Sequence, residues 1–503
     1  MSVLDVILVN PGGRELIYQE LGTGLTAIEP PLWCRLIGGY LRDQNFEIDI
    51  LDTEALGLGP EAAAANIAKR QPRLVIMVVF GHQPSASTQQ MVGARLSCHA
   101  IKAIAPDLPI LIVGGHVSAL PERTLREEPV DYACKGEGPV TAEQLLLALN
   151  ADPTNILESE LEKVPGLVWH HGDDVVINPP APLFSDLDQD LHGNVWDLLP
   201  MDHYRAHNWQ CFNDLQTRTP YASIYTSLGC PYKCSFCCIN APFDVNRYRM
   251  RSPDAVVAEI KSLYENYGVK TFKIIDEMFV LNDRHVTAIC EGLVALNFTS
   301  ELNIWAYARV DTVKPERLAL LRSAGIRWLA LGIESGSAHV RDGAEKSFKQ
   351  NDIIEIVHKI QAEGINVIGN FIFGLPDDDH ASMRATLDLA KEINCEFVNL
   401  YSAMAYPGSP LFTMAALNDW DLPEAWSGYS QHSFDCLPLP TAQISSAEVL
   451  QFRDEAFHEY FENTRYLDMI TQKFGVETRH HIEEMSKHHL KRNILETKDT
   501  VHT

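Results

Sequence analysis

The sequence predicts an α/β protein with an N-terminal doubly wound sheet (flavodoxin-like, Rossmann-type), then a partial (β/α)6 TIM-like barrel and a helical C-terminal region. Short apolar runs alternate with helical patterns over roughly the first 145 residues, and the alternation returns from Ala222 to about Leu400. The tail from about Ser445 has a helical, charged pattern. A chain of 503 residues is too long for one hydrophobic core, so several domains are expected.

Breaks in this pattern place the domain boundaries. We expect a first domain at residues 1–150, a connector with a small hairpin at 151–221, the barrel at 222–412 and the helical region at 413–503. Several prolines interrupt the pattern within the connector. Its segment Gly166–Pro180 carries the turn signal GDD, which predicts a hairpin.

The first domain is predicted to contain five parallel strands joined by helices. These strands are Val3–Asn10, Phe46–Asp52, Arg73–Phe80, Pro109–Gly115 and Asp131–Gly138. Sheets of this kind bind ligands at the carboxyl ends of their strands. The Gly114-Gly115 pair at such an end would permit close approach of the backbone to a ligand.

The barrel is predicted to contain six strand–helix units, which are too few to close a ring of eight. The strands are predicted at Ala222–Ser227, Thr271–Asp276, Asn303–Ala308, Trp328–Ile333, Val367–Gly374 and Glu396–Tyr401. The helix after the first strand should begin behind Ser252, a favoured N-cap residue, with Pro253 at its first position. It should end near Tyr267.

The composition argues against several function classes. The formal net charge of −26 disfavours a nucleic-acid partner, whose phosphates attract clustered Lys and Arg. The longest apolar run, Leu74–Phe80, fits a buried strand and is too short to cross a membrane. No export signal is recognised and the 11 cysteines are an odd number, so we expect a cytoplasmic protein with free thiols and a metal site.

Cysteines are concentrated in one short segment after the first barrel strand. Cys230, Cys234 and Cys237 form a C-x3-C-x2-C pattern, which suits iron–sulfur or zinc. Three thiolates on an iron–sulfur cubane leave one iron open to a substrate or cofactor. A structural zinc ion would need a fourth ligand. Cys238 is the nearest candidate, but adjacent side chains point in different directions, and we expect it to pack as a small apolar residue.

This pattern, with an aromatic residue before its last cysteine, resembles the signature of radical S-adenosylmethionine (SAM) enzymes. The resemblance implies a 4Fe-4S cluster on Cys230, Cys234 and Cys237, with SAM on its open iron. Segments at the later strand ends are also similar to the family, over about residues 222–412. The SAM-binding residues that they imply are Phe236, Glu277 (with Asp276 as the alternative), Arg309, Glu334 and Ser335. Taken singly, each charged residue could instead be a solvated loop charge.

The first domain resembles the cobalamin-binding module that precedes many such enzymes. The resemblance rests on the segments VNP at 9–11, PPLW at 30–33, VGGHVSALPE at 113–122 and KGEG at 135–138. It implies cobalamin contacts from Asn10, His82, Ser85, Gly114, Gly115, Gly136 and Glu137. The alternative is a domain that holds a nucleotide or nothing, although the G-x-G-x-x-G fingerprint and the P-loop are both absent from the sequence.

One motif of some cobalamin proteins is missing. After the first strand they carry D-x-H-x-x-G, whose histidine binds cobalt from below, whereas this chain reads NPGGRELIYQ. The resemblance then implies cobalt without this ligand. His82, after the third strand, is a candidate for the lower face of cobalt, and its alternatives are a loop residue or a donor to the nucleotide tail.

The two resemblances together imply a cobalamin-dependent radical SAM methyltransferase, similar to class B. Such an enzyme moves a methyl group from SAM via methylcobalamin to an unactivated carbon of a small-molecule or lipid-type substrate. Its partner is an external electron donor of the flavodoxin or ferredoxin type. The alternatives are a non-methylating cobalamin-dependent radical SAM oxidoreductase or cyclase, a tRNA methylthiotransferase, and a non-enzymatic cofactor carrier.

The segment Asn418–Asp435 is expected to cover the site. Its residues Trp420, Trp426 and Tyr429 would pack either on a ligand or in the core.

Overall fold

A computed structural model describes residues 4–22, 24–149, 157–346 and 348–499. The chain forms two large sheets flanked by helices and ends in a group of helices, so the predicted fold class is confirmed. Within those residue ranges, no helix is both long enough and apolar enough to traverse a bilayer.

The first sheet has seven strands with the spatial order β2-β1-β3-β4-β5-β6-β7. They are β1 (Val6–Asn10), β2 (Ile48–Asp52), β3 (Leu74–Val78), β4 (Ile110–Val113), β5 (Tyr132–Cys134), β6 (Leu167–His171) and β7 (Asp174–Ile177). The first five are parallel in the predicted flavodoxin order. Strands β1 and β3 are buried along their whole length, as expected of a parallel sheet covered on both faces.

The predicted hairpin is present as β6 and β7, but it is not confined to the connector. It extends the first sheet because β6 pairs antiparallel with β5, with Tyr132 opposite Trp169. This pairing provides hydrogen-bond partners for backbone N–H and C=O groups of β5 that would be unpaired if β5 were the edge strand.

Helices cover both faces of this sheet, and one of them reaches the second domain. They are α1 (Arg14–Tyr18), α2 (Leu32–Asp43), α3 (Pro60–Arg70), α4 (Ala86–Ile104), α5 (Gly115–Ala119), α6 (Pro121–Glu127), α7 (Pro139–Leu149) and α8 (Glu158–Leu161), with α9 (Leu187–Asp190) in the connector. Arg35 of α2 donates from Nη2 to the backbone oxygen of Ser223, at 3.0 Å, and from Nη1 to Glu259, at 3.1 Å. The first domain therefore packs against the start of the barrel.

The second sheet is the predicted open barrel of six parallel strands, in the order β15-β14-β13-β12-β11-β8. They are β8 (Tyr221–Ile224), β11 (Thr271–Ile274), β12 (Asn303–Arg309), β13 (Ile326–Glu334), β14 (Asn366–Phe373) and β15 (Phe397–Ser402). Between β8 and β11 the short strands β9 (Ser227–Leu228) and β10 (Arg249–Met250) pair antiparallel around the cysteine segment.

The barrel helices are α10 (Pro253–Tyr267), α11 (Asp283–Val294), α12 (Leu318–Ser323), α13 (Ala338–Gly343), α14 (Gln350–Ala362), α15 (His380–Ile393) and α16 (Pro410–Leu417). Helix α10 has the predicted bounds. The Ser252 hydroxyl accepts a hydrogen bond from the Ala255 N–H, at 3.3 Å, and Gly268 ends the helix in the left-handed conformation.

The C-terminal region is helical, as predicted, with α17 (Ser446–Phe461), α18 (Thr464–Phe474), α19 (Val476–Met485) and α20 (Asn493–Asp499). Helix α17 contacts the last barrel strand, where Arg453 donates to the Leu400 carbonyl at 2.8 Å. The Tyr460 hydroxyl donates to the Cys395 carbonyl just before that strand, at 2.8 Å. These buried bonds attach the region to β15, the strand at one edge of the barrel sheet.

Candidate active site

A cavity of about 350 Å³ lies between the first domain and the carboxyl ends of the barrel strands. The barrel contributes the cysteine segment and residues that follow or end β11, β12 and β13. The first domain contributes Trp33, residues 80–85 and Gly115. Residues implied by two separate resemblances therefore line a single space.

The conformation of the cysteine loop is fixed by its neighbours. Gly229 has a φ of +81°, and a side chain there would come within 2.2 Å of the Arg247 carbonyl oxygen, so the turn before Cys230 requires glycine. The Asn240 amide accepts from the Cys230 N–H, at 3.4 Å, and donates to the Cys230 carbonyl, at 3.1 Å. These contacts hold the loop beside the cavity, which Cys237 lines.

Three thiolates in one short loop are a donor set that an iron–sulfur cluster takes. In the part of the chain that the structure describes, no three His, Cys, Asp or Glu side chains converge as ligands of one metal ion. A cubane binds each thiolate through a different iron atom, so its three ligands need not meet at one point. Burial raises the pKa of the Cys230 thiol to about 11, so binding of the metal would release its proton. Cys238, predicted to pack as a small apolar residue, is buried but also lines the cavity.

The two acidic residues after β11 have different surroundings. Asp276 accepts hydrogen bonds from the Thr226 N–H and the Ser227 hydroxyl, each at 2.6 Å, which ties β11 to β8. Glu277 lines the cavity, and its Oε2 atom is buried without a hydrogen-bond partner among the described residues. Burial raises the pKa of Glu277 to about 8. Glu277 is thus the acid that is available to a ligand.

Arg309, at the end of β12, lines the cavity beside the cysteine loop. Its guanidinium pairs with Asp311 at 2.9 Å and lies 4.0 Å from the Tyr232 ring centre. Its Nη1 atom lies 3.7 Å from the Cys234 sulfur. The Arg309 guanidinium therefore places its positive charge next to this sulfur.

Glu334 and Phe236 also line the cavity, whereas Ser335 does not. Glu334, at the end of β13, forms a buried ion pair with Lys346, whose ammonium lies 5.8 Å from the Phe236 ring centre. Ser335 is fully buried, and its hydroxyl lies 3.1 Å from the Thr386 hydroxyl. Ser335 therefore connects the end of β13 to helix α15 and does not face the cavity.

The seven predicted cobalamin residues divide into two groups. His82, Ser85 and Gly115 line the cavity. The other four do not, and they are Asn10, Gly114, Gly136 and Glu137. The Asn10 amide donates to Asp52 at 2.8 Å, and the Glu137 carboxylate pairs with Arg249 at 2.6 Å. These two side chains serve contacts within the first domain and between domains, respectively.

Sequence reasoning missed a buried ion pair next to His82. Lys273 of β11 and Glu29 of the first domain are both buried, and Lys273 Nζ lies 3.0 Å from Glu29 Oε2. The same ammonium donates to the His82 carbonyl, at 3.0 Å. A lysine inside the apolar run TFKIID was the available signal, since lysine is rarely fully buried unless it is paired.

A second cavity of about 320 Å³ extends the first into the barrel. Both are lined by Tyr18, His82, Tyr307, Tyr401 and His432. The deeper one is walled mainly by aromatic and aliphatic side chains, including Trp209, Trp305 and Phe397. The site therefore offers an aromatic chamber beyond the space next to the cysteine loop.

The barrel with its cysteine loop and the flavodoxin-type domain share one cavity. This arrangement is that of a protein with one cofactor site in each domain, and each domain matches a family of cofactor-binding proteins. Residues 21–146 match the B12 binding domain, and residues 224–390 match the Radical SAM superfamily. The chain therefore carries a Radical SAM domain and a B12 binding domain.

Several known proteins resemble it over most of its length. An uncharacterized methyltransferase of Pyrococcus horikoshii, PH0819, is 28% identical over 436 residues, which cover 86% of this chain and 87% of the relative. The anaerobic magnesium-protoporphyrin IX monomethyl ester cyclase of Cereibacter sphaeroides is 24% identical over 414 residues, or 81% of this chain and 63% of the relative. The structure of TsrM, a radical SAM methyltransferase from Kitasatospora setae with cobalamin and a 4Fe-4S cluster bound, shares the fold. Its TM-score is 0.67 at 19% identity, with 92% of this chain and 89% of TsrM covered.

Proposed function

We propose that this protein is a cobalamin-dependent radical SAM methyltransferase. It moves a methyl group from SAM via the corrinoid to an unactivated carbon of a small-molecule or lipid-type substrate. The observation that carries the proposal is the cavity that Cys237, Glu277 and Arg309 share with His82 and Gly115. Radical formation and methyl donation both need close access to one substrate carbon. The methyltransferase relative from Pyrococcus horikoshii supports this reaction.

The proposal assigns each predicted residue to a cofactor. Cys230, Cys234 and Cys237 hold the 4Fe-4S cluster, SAM is bound by Phe236, Glu277, Arg309, Glu334 and Ser335, and cobalamin by Asn10, His82, Ser85, Gly114, Gly115, Gly136 and Glu137. When bound, these groups supply the electron that cleaves SAM and the methyl group that is transferred. Among the SAM and cobalamin residues, those that line the cavity contact the cofactors directly, and the others position their loops.

The protein's own residues bind, orient and exclude water. Glu277 accepts a hydrogen bond from the SAM amine through its unpartnered oxygen. Arg309 donates a hydrogen bond to the Cys234 sulfur, 3.7 Å away, and so orients this cluster ligand. The mainly apolar walls of the deeper chamber keep water from the reacting carbon. Reductive cleavage of SAM consumes an electron, so we also propose an external donor of the flavodoxin or ferredoxin type.

The proposal is tested with SAM that carries a deuterated methyl group. Anaerobically reconstituted enzyme, reductant and candidate substrates are incubated, and the products are analysed by mass spectrometry. A product that gains the deuterated methyl group is expected, and Cys234→Ala protein should not form it. A substrate that is converted without gaining the label would instead support the non-methylating oxidoreductase or cyclase, in line with the cyclase relative.

A further inference from the structure

His82 lies where the two cavities meet and lines both of them. It lies in the loop that follows β3, on the wall that the first domain contributes. The side chain is 27% exposed, whereas its Nδ1 atom is buried and makes no hydrogen bond to the described residues. The accessible edge is therefore the remaining one, which carries Nε2.

A carboxylate lies behind this ring. Glu29 Oε2 is 3.8 Å from His82 Nδ1, and the Glu29 side chain is almost fully buried. Metal-binding histidines generally donate their other ring N–H to a carboxylate, a carbonyl or water, which fixes the tautomer and the ring orientation. The contact is longer than a hydrogen bond, and a movement of about 1 Å would close it.

The carboxylate is itself held in place by charged and polar neighbours. Lys273 Nζ lies 3.0 Å from Glu29 Oε2, and His207 Nε2 lies 3.6 Å from Glu29 Oε1. Lys273 also donates to the His82 carbonyl, at 3.0 Å. The same buried ammonium therefore holds both the backbone of His82 and the Glu29 carboxylate behind its ring. Burying a lysine–glutamate pair costs free energy, and its place directly behind His82, which lines the cofactor cavity, indicates a positioning role.

We propose that His82 binds the cobalt of the corrinoid through Nε2 from the first-domain side, with Glu29 as the acceptor of the Nδ1 proton and Lys273 as a positioning residue. The D-x-H-x-x-G motif would place a histidine after the first strand, and this chain supplies one after the third. The inference rests on cobalamin binding and is independent of methyl transfer. Protein that shows the ligand but does not methylate would refute only the proposed function.

Electron paramagnetic resonance of the full-length protein loaded with cob(II)alamin tests the proposal. An axial nitrogen splits each cobalt line into a triplet when it is ¹⁴N and into a doublet when it is ¹⁵N. Protein labelled with ¹⁵N-histidine and loaded with unlabelled cobalamin is expected to give doublets. Persistent triplets would assign the ligand to the benzimidazole of the cobalamin tail, and unsplit lines would mean no nitrogen ligand. Either result overturns the proposal.

Variants identify the histidine. His82→Gln should lose the splitting while its absorbance still reports bound corrinoid. His207→Gln is the matched control, because His207 contacts the same carboxylate but lines only the deeper cavity, and it should keep the doublets. Glu29→Gln retains an oxygen acceptor and should keep the splitting, whereas Glu29→Ala should weaken it. Splitting that survives in His82→Gln would also overturn the proposal, and the labelled wild-type protein decides the question if that variant does not fold.

Discussion

The Arg249 guanidinium lies 2.6 Å from the Glu137 carboxylate, and both side chains are almost fully buried at the boundary between the two domains. Glu137 follows the last parallel strand of the first sheet, and Arg249 lies in β10, which pairs with β9 just before the cysteine loop. Arg249 also donates to the Phe184 carbonyl, at 2.8 Å. The ion pair therefore connects the B12 binding domain to the β9–β10 pair that flanks the cysteine loop of the barrel.

Glu137→Gln should destabilise the protein substantially. Removing one partner of a buried ion pair leaves an uncompensated charge, and the expected loss is about 3–5 kcal/mol in the free energy of unfolding. Urea denaturation followed by circular dichroism measures it. Glu122→Gln is the control, because Glu122 pairs with Arg126 on the surface, where such pairs contribute about 0–1 kcal/mol. Equal effects of the two substitutions would contradict the linking role.

Replacing any of Cys230, Cys234 or Cys237 with alanine should abolish the cluster. Each thiolate is expected to bind a separate iron, so two ligands cannot replace the third. Iron analysis and the visible spectrum of anaerobically purified protein measure the loss. Cys238→Ala is the matched control from the same loop, and it should retain wild-type iron because Cys238, which also lines the cavity, lies outside the C-x3-C-x2-C pattern. Loss of iron in that variant as well would show that the loop collapses nonspecifically.

SAM binding should strengthen as the pH rises towards 8. Burial raises the pKa of Glu277 to about 8, with a further increase from Asp276 and a smaller decrease from Lys273, so the free protein holds Glu277 protonated at neutral pH. An N–H donor on SAM favours the carboxylate, and affinity should therefore rise by up to about tenfold per pH unit below this pKa and level off above it.

Equilibrium dialysis of labelled SAM with cluster-loaded protein measures this dependence. The glutamine of Glu277→Gln cannot ionise, so the SAM affinity of this variant should lose the part of the pH dependence that comes from the carboxyl group. Any pH dependence that remains reports the titration of the SAM amine. If wild-type and Glu277→Gln proteins show the same rise with pH, Glu277 is not the group that receives SAM.

Local pattern was sufficient to predict the strands of the two large sheets, helix α10 and the cysteine loop, because each is encoded within a short segment. Local pattern did not predict which side chains and strands pair with each other, because that pairing depends on tertiary packing. Lys273 and Glu29 are 244 positions apart, and no local feature of the sequence pairs them. The segment KGEG at 135–138 indicated a cofactor contact, yet the fold directs Glu137 towards Arg249. The hairpin was predicted from its turn, but its pairing with β5 required knowledge of which strand lies at the sheet edge.

Trp426 should prove to be a structural residue that attaches the C-terminal region to the first domain. It is 3% exposed, its indole N–H donates to Glu128 at 2.8 Å, and it lines neither cavity. Trp426→Phe removes this hydrogen bond to a charged group, which is expected to cost about 1.5–3 kcal/mol of unfolding free energy while SAM and corrinoid binding stay unchanged. His432→Asn provides the comparison, because His432 lies in the following loop and lines both cavities. This substitution should lower the turnover of the fully loaded enzyme. Slower turnover of Trp426→Phe protein at unaltered stability would mean that the indole packs on the substrate.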